Sequence, residues 1–222
     1  MEDYIDNKLL PKLTKLLCEE LNANKEALKG LVWHIHEANT DRDFSDLSKT
    51  LLEDIFKKHN IKKGLTLEIN TPDLNLIFSL EGNPPVKRKI ELKSTKSPDG
   101  TLQGSTIRNL DVNIWTIFCR RDIPKDEIEV RYGRYWRGME SSSHDLFQDR
   151  TPRPRLKFSK FQDQTEQPIM EKKTARSSLG KRYAESAINR ILEGPKRHSW
   201  QDDLVKEIII IVLEDPDKFK DI

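Results

Sequence analysis

Two segments set the architecture of this chain: Thr71-Pro72-Asp73-Leu74-Asn75-Leu76-Ile77-Phe78 and Ile90-Glu91-Leu92-Lys93-Ser94-Thr95. In the first, apolar side chains alternate from Leu74 onward. In the second, Ile90 and Leu92 keep that spacing among charged neighbours, as expected for β-strands. Between the two segments lies a turn-rich run whose prolines cannot donate ladder hydrogen bonds, Glu81-Gly82-Asn83-Pro84-Pro85. The sequence therefore predicts a β-hairpin.

The charged residues of this hairpin have the types that phosphodiester hydrolysis needs. Folding about Asn83 and Pro84 would place Asp73 across from Lys93 and Ser94, close to Glu91, which shares a face with Lys93 because strand side chains alternate. Carboxylate oxygens suit a hard cation such as Mg²⁺, and a neighbouring lysine can orient the attacking water and offset charge on phosphorus. The pattern predicts a nuclease site with catalytic Asp73, Glu91 and Lys93, in which Asp73, Glu91 and the Leu92 carbonyl bind the metal.

An ordinary charged hairpin is the alternative, because a chain that is 34% charged often places an acidic residue two before a lysine. The pattern occurs three times, as Asp6/Lys8, Glu91/Lys93 and Glu171/Lys173. The first copy lies in a helical pattern and the last in a polar stretch. Only Glu91/Lys93 follows a Pro-Asp pair and a predicted hairpin, and this context favours the nuclease interpretation.

The combination of Pro72-Asp73 with Glu91-Leu92-Lys93 resembles the signature of the PD-(D/E)xK nuclease superfamily. The segment from Ile90 to Thr95 is similar to the catalytic strand of EcoRV-like and PvuII-like type II restriction endonucleases. The likeness continues into an apolar strand at 112–119, and a looser one covers 131–137. In such enzymes a helix before the hairpin often supplies a further carboxylate, and by position Glu53 is the candidate. The helical pattern places Glu53 nearly opposite the apolar stripe, where solvent exposure is the ordinary outcome.

The resemblance implies the fold and the reaction. The implied fold is an α/β restriction-endonuclease-like domain, in which a central mixed β-sheet with a catalytic hairpin is flanked by helices. The implied activity is Mg²⁺-dependent cleavage of double-stranded DNA by a homodimer, leaving 5′-phosphate ends, with Mn²⁺ able to substitute. The superfamily also contains repair-type nicking and junction-resolving nucleases, and a DNA-binding protein without catalysis is a further alternative.

The charge distribution favours a nucleic-acid partner. Residues 1–86 carry 11 Lys/Arg against 15 Asp/Glu, whereas 150–197 carry 13 against 5. A basic stretch with few carboxylates is typical of phosphate contact, although a solvated surface has the same composition. The basic residues predicted to contact DNA are Arg134, Arg137, Arg153, Arg155 and Lys157. The polar segment after the catalytic strand carries side chains able to hydrogen-bond base edges, namely Gln103, Ser105, Thr106, Arg108 and Asn109.

The remaining pattern predicts a single domain, 1–222, with a helical N-terminal part (1–60), a catalytic sheet (64–137) and a basic loop with C-terminal helices (140–222). A long loop is expected from Glu140 to Gln167. The run Ile208–Leu213 is apolar on every side, which predicts a deeply buried helix or a core strand. Cys18 and Cys119 are expected to be buried thiols in a reducing compartment. The acidic N-terminus and the lack of a membrane-length apolar run predict a cytoplasmic protein without a membrane partner.

Overall fold

The structure, a computed structural model of the chain, describes residues 1–31, 42–59, 63–105, 111–140, 154–171 and 200–216, and scattered positions between 174 and 192. It divides into two compact units. The first comprises Met1–Leu102, Asp111–Met139 and Leu156–Met170, and the second comprises Gln103–Leu110, Glu140–Arg155 and Glu171–Ile222. Four of the predicted DNA-contact residues lie outside the described residues: Thr106, Arg108, Asn109 and Arg153.

The N-terminal part is helical, as its periodicity predicts. It consists of α1 (Glu2–Tyr4), a π-helical segment (Ile5–Leu9), α2 (Leu10–Ala23), α3 (Lys25–Gly30) and α4 (Arg42–Lys58). The apolar residues at helical spacing are the buried ones, because each helix turns a single stripe towards the sheet. In the first three segments this stripe includes Ile5, Leu9, Leu13, Leu17 and Leu21, all with no exposed surface.

A five-stranded mixed sheet forms the centre of the first unit. Its strands are β1 (Thr66–Asn70), β2 (Leu74–Ser79), β3 (Val86–Thr95), β5 (Trp115–Asp122) and β6 (Glu127–Arg134), in the spatial order β1-β2-β3-β5-β6. Only β3 and β5 run parallel, and the other neighbours are antiparallel. The expectation of a mixed sheet flanked by helices is therefore confirmed.

The smaller elements follow the same chain order. A 3₁₀ turn (Ile123–Lys125) joins β5 to β6, and α5 (Tyr135–Gly138) follows β6. A second sheet has the order β4-β8-β7 and consists of β4 (Thr101–Gln103), β7 (Met139–Glu140) and β8 (Arg155–Lys157). A 3₁₀ turn (Phe158–Lys160) follows β8, and the last described helix is α6 (Trp200–Glu214).

The two faces of the large sheet are covered differently. Side chains such as Leu76, Ile90 and Ile117 join the helices in one continuous core. On the opposite face Phe118 packs edge-on against Phe158 and Phe161, with ring centroids 5.6 and 5.7 Å away. Since side chains alternate along a strand, Lys89, Glu91 and Lys93 of β3 belong to this second face. Arg88 has the opposite orientation and pairs with Asp6 of the helical N-terminal part.

The turn of the hairpin lies one to two residues earlier than predicted, which moves the residue opposite Asp73 by two to three positions. The pairing runs from Phe78 opposite Val86 to Leu74 opposite Ile90, which centres the turn on Gly82. Gly82 has a φ of +75°, a conformation that glycine adopts without steric cost and that proline cannot reach. The prediction that Asp73 lies across from Lys93 and Ser94 is therefore wrong. Continuing the register one step places Asp73 beside Glu91.

Part of the predicted long loop is ordered against the sheet. Leu156, Phe158 and Phe161 are buried. Further along, the Asp163 carboxylate accepts a hydrogen bond from the Tyr132 amide at 2.7 Å. These contacts cover the outer edge of β6, where unpaired backbone groups would otherwise remain. The loop prediction is wrong for residues 155–160, which form β8 and a 3₁₀ turn, whereas residues 161–167 have no helix or strand. Residues 141–153 lie outside the described part of the chain.

The helix α6 confirms the predicted last helix but not its burial. The run Ile208–Leu213 is helical, so the strand alternative is wrong. Ile208 and Ile211 are each 50% exposed and Leu213 is 72% exposed, so the prediction of deep burial is also wrong. In the parts of the chain that the structure describes, no helix is both long and apolar enough to cross a membrane.

Candidate active site

Asp73 lies at the entrance to β2, after a cis peptide bond between Thr71 and Pro72. Its backbone has a φ of +55°, in the left-handed region that aspartate tolerates better than most residues. The Leu92 amide donates a hydrogen bond to Asp73 Oδ1 at 3.0 Å. The carboxylate is thereby attached to β3 just where the paired part of the hairpin ends.

Glu91 and Lys93 lie on the second face of β3, as the two-residue spacing predicts. Lys93 Nζ lies 2.6 Å from Glu91 Oε1. The Glu91 side chain is only 8% exposed, and its register neighbour on β5 is the fully buried Thr116. A buried carboxylate needs charged or hydrogen-bonding partners, and Lys93 is one of them.

Lys89 is a site residue that the sequence analysis missed. Its Nζ lies 2.8 Å from Asp73 Oδ2 and 2.7 Å from Glu91 Oε2, so that one ammonium joins both carboxylates. The signal was present in the sequence, because Lys89 precedes Glu91 by the same two residues by which Lys93 follows it. Strand alternation places all three on one face.

The lysines determine the charge state of Glu91. Burial alone would raise the pKa of this carboxyl, but the attraction of Lys93 and the hydrogen bonds from Lys89 and Lys93 outweigh burial and lower the pKa below its ordinary value. Burial likewise opposes the charged form of Lys89, and its hydrogen bonds to Asp73 and Glu91 raise its pKa in spite of it. The site therefore holds Glu91 as a carboxylate and Lys89 as an ammonium at neutral pH.

The arrangement fits a hard divalent cation. Asp73 Oδ2 and Glu91 Oε2 converge on one positive charge, that of Lys89, which shows that the fold directs two carboxylate oxygens at a common point. In the described part of the chain, no group of three or more His, Cys, Asp and Glu side chains forms a metal cluster. Two carboxylates with water and substrate phosphate are the usual ligand set of Mg²⁺.

The backbone of Leu92 is compatible with its predicted part in metal binding. In an extended strand the N–H and the C=O of one residue point to the same edge. The Leu92 amide faces Asp73, so its carbonyl faces that edge as well. The geometry thus leaves the Leu92 carbonyl as a candidate third oxygen ligand.

The predicted helical carboxylate is placed less favourably. Glu53 is on α4, its side chain is 41% exposed, and it pairs with Lys49 at 3.9 Å. The α4 carboxylate that contacts the start of the hairpin is Asp46, whose Oδ1 accepts a hydrogen bond from Thr71 Oγ1 at 3.5 Å. Glu53 thus gains no support from these contacts as a ligand.

Arg134, predicted to contact DNA, is used inside the fold. It is 8% exposed, and its guanidinium donates to the Gln167 carbonyl at 3.1 Å and to the Asn113 carbonyl at 2.8 Å. It also lies 4.8 Å from the Trp115 ring centroid, in cation–π geometry. A phosphate contact would require these interactions to break, so Arg134 is better explained as a structural residue.

The other described candidates remain accessible in part. Arg137 is half-buried and stacks over Trp136 at 4.2 Å. Arg155 and Lys157 are half-buried on β8, Ser105 is half-buried, and Gln103 is exposed at the end of β4. Their contribution to DNA binding stays a prediction.

Comparison with known proteins yields neither a matching family model nor a matching curated protein.

Proposed function

We propose that this protein is a metal-dependent nuclease that hydrolyses phosphodiester bonds of double-stranded DNA, as a sequence-specific endonuclease of the type II restriction kind. The observation that carries the proposal is the convergence of Asp73 Oδ2 and Glu91 Oε2 on one cationic group, with Lys93 Nζ 2.6 Å from the other oxygen of Glu91. Two carboxylates and a lysine that meet at one end of the hairpin supply the metal ligands and the positive charge that metal-assisted hydrolysis uses.

Each residue has a definite part in this proposal. Asp73 and Glu91 hold Mg²⁺, or Mn²⁺ in its place, and the Leu92 amide fixes the direction of the Asp73 carboxylate. When bound, the cation acts as a Lewis acid that offsets the charge of the phosphate and favours ionisation of a water molecule. Lys93 orients the attacking water and donates to the phosphate oxygens on which charge develops. The proposed products carry 5′-phosphate ends.

The proposed partner is double-stranded DNA, bound by a homodimer whose two-fold axis matches a palindromic site. Its phosphates would be contacted by the basic stretch from 150 to 197, which includes Arg155 and Lys157. The segment around Gln103 is the proposed base-reading part, because it follows the catalytic strand directly in the sequence.

The experiment is cleavage of long DNA and of supercoiled plasmid in Mg²⁺, with chelator as the control, followed by sequencing of the ends. Discrete fragments with one sequence at every 5′ end support the restriction activity. Nicked circles or cleavage confined to four-way junctions would replace it with a repair-type nuclease that uses the same site. DNA binding without any cleavage in Mg²⁺ or Mn²⁺ would reject the nuclease and leave a DNA-binding protein.

A further inference from the structure

The Lys89 ammonium lies where a cation held by Asp73 and Glu91 would have to bind. It is 2.8 Å from Asp73 Oδ2 and 2.7 Å from Glu91 Oε2. The two remaining carboxylate oxygens have other donors, the Leu92 amide at Asp73 Oδ1 and Lys93 at Glu91 Oε1. A metal ion shared by the two carboxylates would therefore bind Asp73 Oδ2 and Glu91 Oε2, the oxygens that Lys89 contacts. It can bind there only after Lys89 has moved.

We propose that Lys89 is a built-in competitor of the divalent cation: its ammonium neutralises Asp73 and Glu91 in the metal-free protein and must leave before metal binds. This inference rests on the proposed function, because it takes the same two carboxylates as the metal ligands. It adds Lys89, which the nuclease pattern does not contain. Lys93 is proposed to assist hydrolysis, whereas Lys89 is proposed to keep the metal from binding.

The surroundings of Lys89 allow both states. Two adjacent carboxylates repel each other when no cation lies between them, so an ammonium at this point stabilises the metal-free hairpin. The Lys89 side chain is 37% exposed, which gives its ammonium a route to solvent, and its four-carbon stem has many rotamers. Glu91 keeps Lys93 as a partner when Lys89 leaves. Replacement of Lys89 by a metal ion therefore leaves no buried carboxylate without a cationic partner.

The test is metal binding without DNA, which is independent of cleavage. Mn²⁺ is titrated into the full-length protein and the free ion is counted by electron paramagnetic resonance, for wild type, Lys89→Met and Lys87→Met. Lys87 is a matched control, since it is an exposed lysine of the same strand. Lys89→Met removes one ammonium that contacts both carboxylates, and its loss predicts Mn²⁺ binding at least about tenfold tighter than wild type. Lys87→Met should bind as wild type does.

The outcomes separate the two proposals. If wild type binds Mn²⁺ and Lys89→Met binds it equally or more weakly, the competitor role is overturned and the metal site stands. If neither wild type nor Lys89→Met binds Mn²⁺, the metal site and the proposed nuclease are overturned together. Tight binding that survives Asp73→Asn in the Lys89→Met protein would place the ion elsewhere and also overturn the inference.

A second variant guards against misfolding of Lys89→Met. Lys89→Gln keeps a hydrogen-bond donor between the carboxylates but removes the positive charge, and it should also bind Mn²⁺ more tightly than wild type. For both variants the rise in melting temperature on adding Mn²⁺ should exceed that of wild type, because binding to the folded state alone stabilises it. An equal or smaller rise in both would contradict the competition.

Discussion

The Leu92 amide donates a hydrogen bond to Asp73 Oδ1 at 3.0 Å, although Asp73 lies one residue outside the paired part of β2. The bond fixes one carboxylate oxygen and leaves the other, Oδ2, facing Lys89. This hydrogen bond from the Leu92 backbone to the Asp73 side chain thus orients the proposed ligand before any metal is present.

The first prediction concerns how Asp73 should be replaced. Asp73→Asn retains an oxygen acceptor for the Leu92 amide, and asparagine tolerates the φ of +55°. Asp73→Ala loses the acceptor and tolerates the left-handed backbone less well than Asn, which should cost about 1 to 3 kcal/mol in the free energy of unfolding relative to Asn. Urea unfolding of the two variants measures the difference. Equal stability would mean that neither the hydrogen bond nor the backbone conformation matters.

The second prediction is a pH dependence of stability that comes from Glu91. Its pKa is lower in the folded protein than the ordinary value of 4.5. The unfolded chain therefore binds more protons in this range, and the stabilisation is complete above 4.5 and is lost as the pH falls through the lower folded pKa. In metal-free buffer, the free energy of unfolding of wild type should fall more steeply with acidification than that of Glu91→Gln. Parallel curves for the two proteins would show that Glu91 is not held as an ion.

The third prediction separates Arg134 from Arg137. Arg134→Met removes two hydrogen bonds from a charged donor in a buried place, which should lower the free energy of unfolding by about 2 kcal/mol. Arg137→Met removes a half-buried side chain stacked on Trp136 and should change it by less than about 1 kcal/mol. Chemical denaturation of both variants checks this. A larger loss of stability for Arg137→Met than for Arg134→Met would contradict the assignment of Arg134 as the structural residue.

Periodicity in the sequence was enough to predict the helices and the hairpin strands, because burial on one face leaves a regular pattern. The register was not predictable to the residue. The turn contains both Gly82 and a Pro-Pro pair, and only the backbone conformation shows that Gly82 occupies the tip. Arg134 is indistinguishable in sequence from a surface arginine, since its carbonyl partners come from residues 21 and 33 positions away.

The shared face of Glu91 and Lys93 could be predicted because their two-residue spacing follows strand alternation. Lys89 follows the same rule, but its role depends on the distance from its ammonium to Asp73, which no local pattern contains. The exposure of α6 was not predicted, because its sequence pattern was interpreted without knowing what packs against it. An apolar run predicts burial from composition alone, whereas burial requires a neighbour that covers the helix.

The fourth prediction concerns the basic stretch. Replacing Arg153, Arg155 and Lys157 by glutamine should weaken binding to all DNA sequences alike and reduce the slope of log binding constant against log salt by about one unit per lost phosphate contact. Fluorescence anisotropy at several salt concentrations measures the slope. The control removes the same charge from the exposed lysines of the N-terminal helical part, Lys8, Lys12 and Lys15. Equal slopes for the two triple variants would place the phosphate contacts elsewhere.

The fifth prediction tests the central claim, that Lys93 acts on the phosphate beside a metal held by Asp73 and Glu91. The measurement is the single-turnover rate of DNA cleavage in Mg²⁺ by wild type, Lys93→Met and Lys87→Met, with melting temperatures recorded to confirm that each protein is folded. Removing one group that stabilises transition-state charge predicts a loss of at least about a hundredfold for Lys93→Met. The exposed Lys87 should be replaceable without loss. A folded Lys93→Met protein that cleaves DNA at the wild-type rate would contradict the account.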